Sequence, residues 1–319
     1  MTKNVFQSRL FVVAAAACMA VSAPGQQVRP DNEIHILKVQ GNVYMLVGPA
    51  GNSAVQVGAN GVLVVDAQTA DMSEKLLAAI KTLTDKPIRY VVNTSFDADR
   101  TGGNEVVARN GAPVVGGNLG NSNHGAAIVA REQVLDRMSA PTGQKAPTPE
   151  GAWPGVTWFE GNKEIFFNGE PVVVMPVPPG HTDGDSIVFF RHSDVIAAGN
   201  IFNMNSFPVI NLAAGGNIQG ILDGLNHLLD IAIPEHEQEG GTYIIPGHGR
   251  LTDEHDLLEY RDMVTIIRDR VQNMIKKGMT LEQIKAAKPT FEYDKRWSAA
   301  SGPASTDGFV EAVYKSLKK

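Results

Sequence analysis

The sequence holds one cysteine, Cys18, so no disulfide can form within the chain and its stability has to come from burial. Charged residues are sparse at 19%, the formal net charge is -6, and no run of Lys or Arg is longer than two residues. Nucleic acid and an anionic membrane surface, which are held by clustered positive charge, are thereby excluded as partners, and a small-molecule substrate or ligand is expected instead. Oligomeric state leaves no mark in the sequence. Long apolar runs are also missing. The longest, Leu10 to Val21, falls short of the roughly 20 residues that a membrane span requires.

That run has another reading. Lys3 and Arg9 precede it and Val21-Ser22-Ala23 follows it as a small-x-small site, the pattern of a secretory signal peptide over residues 1–23. The expected mature chain starts at Pro24, is exported to a periplasmic or secreted location, has no membrane attachment after cleavage, and carries a charge of -8 once Lys3 and Arg9 are removed. Cys18 suggests a lipoprotein signal, but Ala15 stands three positions before it where a larger aliphatic is usual.

From Ile34 the chain reads as antiparallel strands, Val43–Val47, Ala54–Val57 and Val62–Asp66, parted by Gly-containing turns. Apolar residues at 72, 76, 77, 80 and 83 predict a helix, and 88–92 predict the next strand. Glu105–Arg109 continues as helix, Pro113–Val115 as a short strand, and Ile128–Met138 as helix. His124 sits in a Gly- and Asn-rich loop. Ala140–Gly155 is rich in Pro and Gly and is expected to border a pocket as a lid, with Trp153 or Trp158 at its mouth. Further strands are expected at Lys163–Phe167, Val172–Val177, Ile187–Arg191, Val195–Ala198 and Tyr243–Ile245. Helices are expected at Ile218–Ile231, Leu257–Lys277, Leu281–Ala287 and Asp307–Leu317, with Phe291–Ser305 as a crossing loop.

Three polar turns each follow an apolar strand. The first is Asn93-Thr94-Ser95-Phe96-Asp97-Ala98-Asp99-Arg100-Thr101-Gly102-Gly103, the second His181-Thr182-Asp183-Gly184-Asp185, and the third Pro246-Gly247-His248-Gly249. On spacing alone the first is either a strand delivering Ser95, Asp97 and Asp99 to one side or simply a capped entry to the helix that follows. Either histidine taken alone is more often structural than a ligand.

The first turn resembles the metal-binding loop of the metallo-β-lactamase superfamily, Asn-Thr-His-x-His-x-Asp-His-x-Gly-Gly-Asn. Asn93, Thr94, Asp99, Gly102, Gly103 and Asn104 fit that frame, while Ser95, Asp97 and Arg100 stand where it has histidines. The turns at His181 and His248 are similar to later motifs of the same superfamily. The resemblance implies an α/β fold, an αββα sandwich of two mixed β-sheets flanked by helices over residues 27–255, with 256–319 as a helical C-terminal extension packed on it.

It also implies two adjoining metal sites, one from Ser95, Asp97 and His181, the other from Asp99, Arg100 and His248, with Asn200 at the bridging aspartate. Ser95, Asp97, Arg100 and Asn200 depart from the pattern. A serine hydroxyl is a poor zinc donor and a guanidinium has no lone pair to offer. The implied site is therefore reduced to at most one divalent ion, zinc, on Asp97, Asp99, His181 and His248. Asp99 would be the catalytic carboxylate, and Asp66 and Asp185 would orient the ligands. Such a site would hydrolyse an ester, lactone or amide. The alternative is a catalytically inactive binding protein without cofactor, in which Arg100 replaces the metal. Metal-free acid/base work by the same carboxylates and histidines is a third reading.

Overall fold

The computed structural model describes residues 32–114, 125–141 and 143–318. The expected signal peptide, Cys18, His124 and Val115 lie outside the described residues. No described helix is long and apolar enough to cross a membrane.

The chain begins as an antiparallel meander of β1 (His35–Gln40), β2 (Val43–Gly48), β3 (Gly51–Gly58) and β4 (Gly61–Val65). Helix α1 (Ser73–Leu83) then crosses to β5 (Ile88–Val92), which lies parallel to β4. The short helices α2 (Ala98–Thr101) and α3 (Asn104–Arg109) lead to β6 (Ala127–Arg131), and α4 (Glu132–Met138) to β7 (Val156–Trp158). These strands form one seven-stranded mixed sheet in sequence order.

Strands β8 (Lys163–Phe167), β9 (Glu170–Pro176), β10 (Ser186–Phe190) and β11 (Val195–Asn203) follow. After α5 (Ile218–Ile231) comes β12 (Tyr243–His248), parallel to β11 and completing a five-stranded sheet ordered β12-β11-β10-β9-β8. The chain closes with α6 (Glu254–Lys276), α7 (Leu281–Ala286), α8 (Asp294–Trp297) and α9 (Thr306–Leu317).

Period-2 alternation decides which side chains face which layer. Leu63, Val65, Tyr90 and Val92 of the first sheet meet Val172, Val174, Val188 and Phe190 of the second in one buried cluster between the sheets. Val62, Val64 and Val91 point the other way, onto Leu76 and Ile80 of α1 and Val107 of α3. Val173, Met175 and Ile187 likewise face outward beneath α5, α6 and α9. The result is the expected αββα sandwich of two mixed sheets. The described residues form one compact unit, and the tail shares the core of the second sheet, where Phe309 stacks on Phe207 with centroids 5.0 Å apart and planes within 11°.

Three local expectations change. Ile128–Met138 is strand before it is helix, because Ile128 and Val129 fill a parallel strand buried on both faces, which lacks an alternating signature. Pro113 and Val114 pair with no strand. The segment 291–305 contains α8, which seats Trp297 against Tyr260 with centroids 5.0 Å apart.

Candidate functional site

The three polar turns converge at the carboxyl ends of β5, β9 and β12. Their shape is held by groups that take no part in the cleft surface. Asp66, at the end of β4 with a left-handed φ of 64°, accepts hydrogen bonds from Thr94 N (2.8 Å) and Thr94 Oγ1 (2.7 Å). Asn93 and Asn104 exchange side-chain hydrogen bonds of 2.9 and 2.8 Å, and Asn93 also donates to Arg100 O at 3.0 Å. A Cβ at Gly103 would stand 2.2 Å from Ala67 O, so the loop can lie this close to the strand end only with glycine there. Asp185 closes the second turn by accepting from Thr182 N (2.7 Å) and Oγ1 (2.6 Å). Burial raises the Asp66 and Asp185 carboxyls to about 6, against the opposing pull of Arg100 on the first and His181 on the second.

Within that frame the ionisable groups are paired off. His181 lies 2.8 Å from Asp97 Oδ2 through Nε2 and 2.8 Å from Val209 O through Nδ1. Burial alone would lower its pKa, but the hydrogen bond and charge of Asp97, with Asp185 behind, carry it up to about 9. The ring therefore holds both protons at neutral pH and donates to both partners. Burial pushes Asp97 upward, yet His181 and the hydroxyl of Ser95, 2.8 Å away, bring it below the usual carboxylate range. Asp99 Oδ2 lies 3.2 Å from His248 Nε2 and 3.1 Å from Arg100 Nη2, and the same balance, burial offset by these two partners, lowers it.

Arg100 occupies the middle of the site. Its side chain is 0% exposed, with Nη2 donating to Asn200 Oδ1 (2.7 Å) and Gly247 O (3.0 Å) and Nη1 to Asn52 O (3.1 Å), while Asp66 lies 3.6 Å from Nη1. Asn52 in turn ties down the third turn by donating to Pro246 O (2.8 Å) and Gly249 O (3.0 Å).

A metal ligand needs a lone pair that faces an open position. Here Asp97 Oδ2 and His181 Nε2 face each other at 2.8 Å, and Asp99 Oδ2 faces Arg100 and His248. Among the described residues, no group of three or more His, Cys, Asp or Glu side chains is arranged to hold a metal ion. The structure thus brings Asp97, Asp99, His181 and His248 to one cleft, but as two carboxylate–imidazole pairs around a guanidinium rather than as a donor set. As placed, these residues do not fit a metal ion.

The cleft has a volume of about 370 Å³. Besides the four ionisable residues and Asn200 it is lined by Asn203, Asn205, Ser206, Val209, Ala299 and Ala304, none of which the sequence singles out. The polar cluster Asn203-Met-Asn-Ser directly after a buried strand is a signal for the first three. Ala299 and Ala304 carry none. None of the described residues of the Pro- and Gly-rich stretch 140–155 lines this cleft. Ala152 and Trp153 pack with Val134, Met138 and Phe96, and Ala152 O accepts from Asn104 at 3.0 Å, so the stretch braces the motif loop from the side away from the cleft lining. Trp153 lines a separate cavity of about 540 Å³ with Glu105 and Arg109, and Trp158 packs on the inter-sheet cluster, so neither tryptophan stands at the cleft.

An αββα sandwich with three polar turns gathered at one edge, framed by Asn93, Asp66 and Gly103, defines a hydrolase-like scaffold of the metallo-β-lactamase type. The chain belongs to the metallo-beta-lactamase superfamily, whose family model matches residues 46–254. Among solved structures it is similar to the stereoselective inverting sec-alkylsulfatase Pisa1 from Pseudomonas sp., at 15% identity and a TM-score of 0.62, covering 88% of this chain and 50% of that one. A double mutant of the same alkylsulfatase gives 14% identity and a TM-score of 0.64 over the same shares. The metallo-beta-lactamase from Pontibacter korlensis gives 17% and 0.53, covering 73% of this chain and 99% of that one. The chain spans about half the length of the alkylsulfatases, and at these identities the likeness is one of fold.

Proposed function

We propose that this chain is a member of the superfamily that works without a metal, its cleft binding a small polar molecule, with the Arg100 guanidinium standing where the second ion would be. The observation that carries the reading is the complete enclosure of that guanidinium between Asp99, Asn200, Gly247 O and Asn52 O. A cation enters where a ligand leaves, and an amide at Asn200 takes the place of a carboxylate, so the charge of the site is rebalanced rather than simply lost. Arginine suits such a position because its planar fork satisfies several fixed acceptors at once.

Metal-assisted hydrolysis of an ester, lactone or amide is the second reading. It is favoured by the survival of two histidines and two carboxylates on one cleft. It requires Asp97 and His181 to part and His181 to give up a proton that it holds up to about pH 9. Elemental analysis of the purified mature chain, with an esterase, lactonase and lactamase screen, separates the two. The metal-free reading expects well under one ion per chain and no chelator-sensitive turnover. One zinc per chain with hydrolysis abolished by a chelator would overturn it. Export is part of the proposal, and intact-mass measurement of secreted material is expected to give a chain beginning at Pro24.

A further inference from the structure

We propose that Asn52 is a positioning residue of the cleft: it fixes the His248 ring at the cleft wall and couples that ring to the buried Arg100 guanidinium. The inference rests on the metal-free reading above. In the arrangement that the superfamily resemblance implies, a shared ion would join the third turn to the first. Here the ring itself meets the first turn only through Nε2, 3.2 Å from Asp99 Oδ2, on a side chain that is 31% exposed. One long hydrogen bond at a half-open position holds a ring weakly.

Asn52 supplies the missing anchor from the other sheet. It stands at the start of β3, is 4% exposed, and spends both of its amide protons on the histidine turn, donating to Pro246 O at 2.8 Å and Gly249 O at 3.0 Å. Those two carbonyls flank His248 in the chain. Its own main-chain carbonyl accepts from Arg100 Nη1 at 3.1 Å. One residue thus holds the histidine turn with its side chain and the guanidinium with its backbone. Asparagine meets the demand because it carries two N–H donors on a short stem, whereas an aspartate would turn acceptors toward two carbonyls.

The second ground is packing, which does not depend on those bonds. A Cβ on Gly51 would stand 2.9 Å from Gly247 O, 3.2 Å from His248 Cε1 and 3.3 Å from Arg100 Nη1, and a Cβ on Gly247 would stand 2.8 Å from Arg100 Nη2. The start of β3, the histidine turn and the guanidinium therefore lie in mutual contact, and a shift of one displaces the others. The displacement reaches the cleft. His248 O accepts from Met204 N at 2.9 Å, within the segment whose Asn203, Asn205 and Ser206 line the cleft beside His248.

The test uses the chelator-treated full chain as wild type, Asn52→Ala, Arg100→Lys and the double variant. Nitrogen-15 NMR at about pH 8 reads the tautomer of His248, and hydrogen exchange reads the Met204 amide. The wild type is expected to hold one tautomer, with the proton on Nε2 toward Asp99. Asn52→Ala should mix the tautomers and speed Met204 exchange roughly thirtyfold, the worth of two neutral hydrogen bonds. The Ser186 amide, which donates to Thr94 O at 2.8 Å between the first two turns, should exchange as before. Arg100→Lys keeps the charge without the fork and should mix the tautomers as well. If the guanidinium acts through Asn52, the double variant exceeds Asn52→Ala by less than Arg100→Lys changes alone. The inference is overturned if Asn52→Ala leaves the tautomer and Met204 as in the wild type, if Ser186 accelerates as much as Met204, or if the two substitutions simply add. Should Asn52→Ala fail to fold, an unchanged His248 in Arg100→Lys overturns it. Stoichiometric zinc in the purified chain would instead overturn the metal-free reading, so the two failures are told apart.

Discussion

Replacing Arg100 by alanine removes a fully buried cation and leaves its five partners facing a hole. Asp99 at 3.1 Å retains His248, but Asp66 at 3.6 Å is 3% exposed and keeps only Thr94. Breaking a buried ion pair in this way typically costs about 3–5 kcal/mol. The lower end applies here, because Asp66 already lies at about 6 with Arg100 lowering it and will take up a proton once that cation is gone. At roughly 2 °C per kcal/mol for a chain of this size, the melting temperature should fall by about 6 °C. The fall should be larger at pH 8, where the carboxylates are charged, than at pH 5. Added zinc should restore part of the loss, about 2.7 kcal/mol at a hundredfold excess over its dissociation constant. Arg100→His goes further: it sets an imidazole beside Asp99 and His248, the three donors that the superfamily resemblance implies for the second metal position, and should bind zinc where the wild type does not. Thermal melts at both pH values, with and without zinc, check all of this. A melt of Arg100→Ala within about 1 °C of the wild type, the size of an ordinary surface substitution, would refute the reasoning. So would a wild type that responds to zinc as strongly as the variants.

Two further outcomes are expected. His181 binds its proton more tightly folded, at about 9, than unfolded, at 6.5, so its contribution to stability is complete below about pH 6.5 and is lost as pH rises to about 9. A shift of that size is on the order of 3 kcal/mol, and His181→Gln should flatten the fall in a pH series of urea unfolding curves. Phe309→Ala should cost about 3–5 kcal/mol by the same measurement, since the ring is wholly buried and stacked on Phe207.

Much of the sandwich is legible because its elements keep their own periods. The helix Ile218–Ile231 has the bounds that its apolar spacing predicts, and β2, β3 and β4 fall between the Gly-containing turns that announce them. The strand β6 is not legible, since its residues are buried on both faces and run straight into α4, so 128–138 reads as one helix. The three turns are visible as turns, and the frame residues Asp66, Asn93 and Asn104 explain why: they fix backbone shape whatever the site holds. The pairing of Asp97 with His181 and the enclosure of Arg100 are set by distances across the sandwich, which no local pattern carries. Asn52, Asn203 and Ala304 reach the site from 48 residues upstream of Arg100 or far downstream of it, through topology alone. The stretch 140–155 shows the converse: composition marks it as a loop, and packing on α4 decides where it goes.

One wall of the cleft, Ala299 and Ala304, comes from the tail beyond residue 254, where the superfamily match ends. The loop that carries them is pinned at its start by Phe207 N donating to Trp297 O at 2.7 Å and closed by Ala299 N donating to Ala304 O at 3.1 Å. The apolar wall of the cleft and its ionisable residues therefore come from separate parts of the chain, and the width of the cleft can drift, or be redesigned, through two small side chains while the buried network around Arg100 stays as it is.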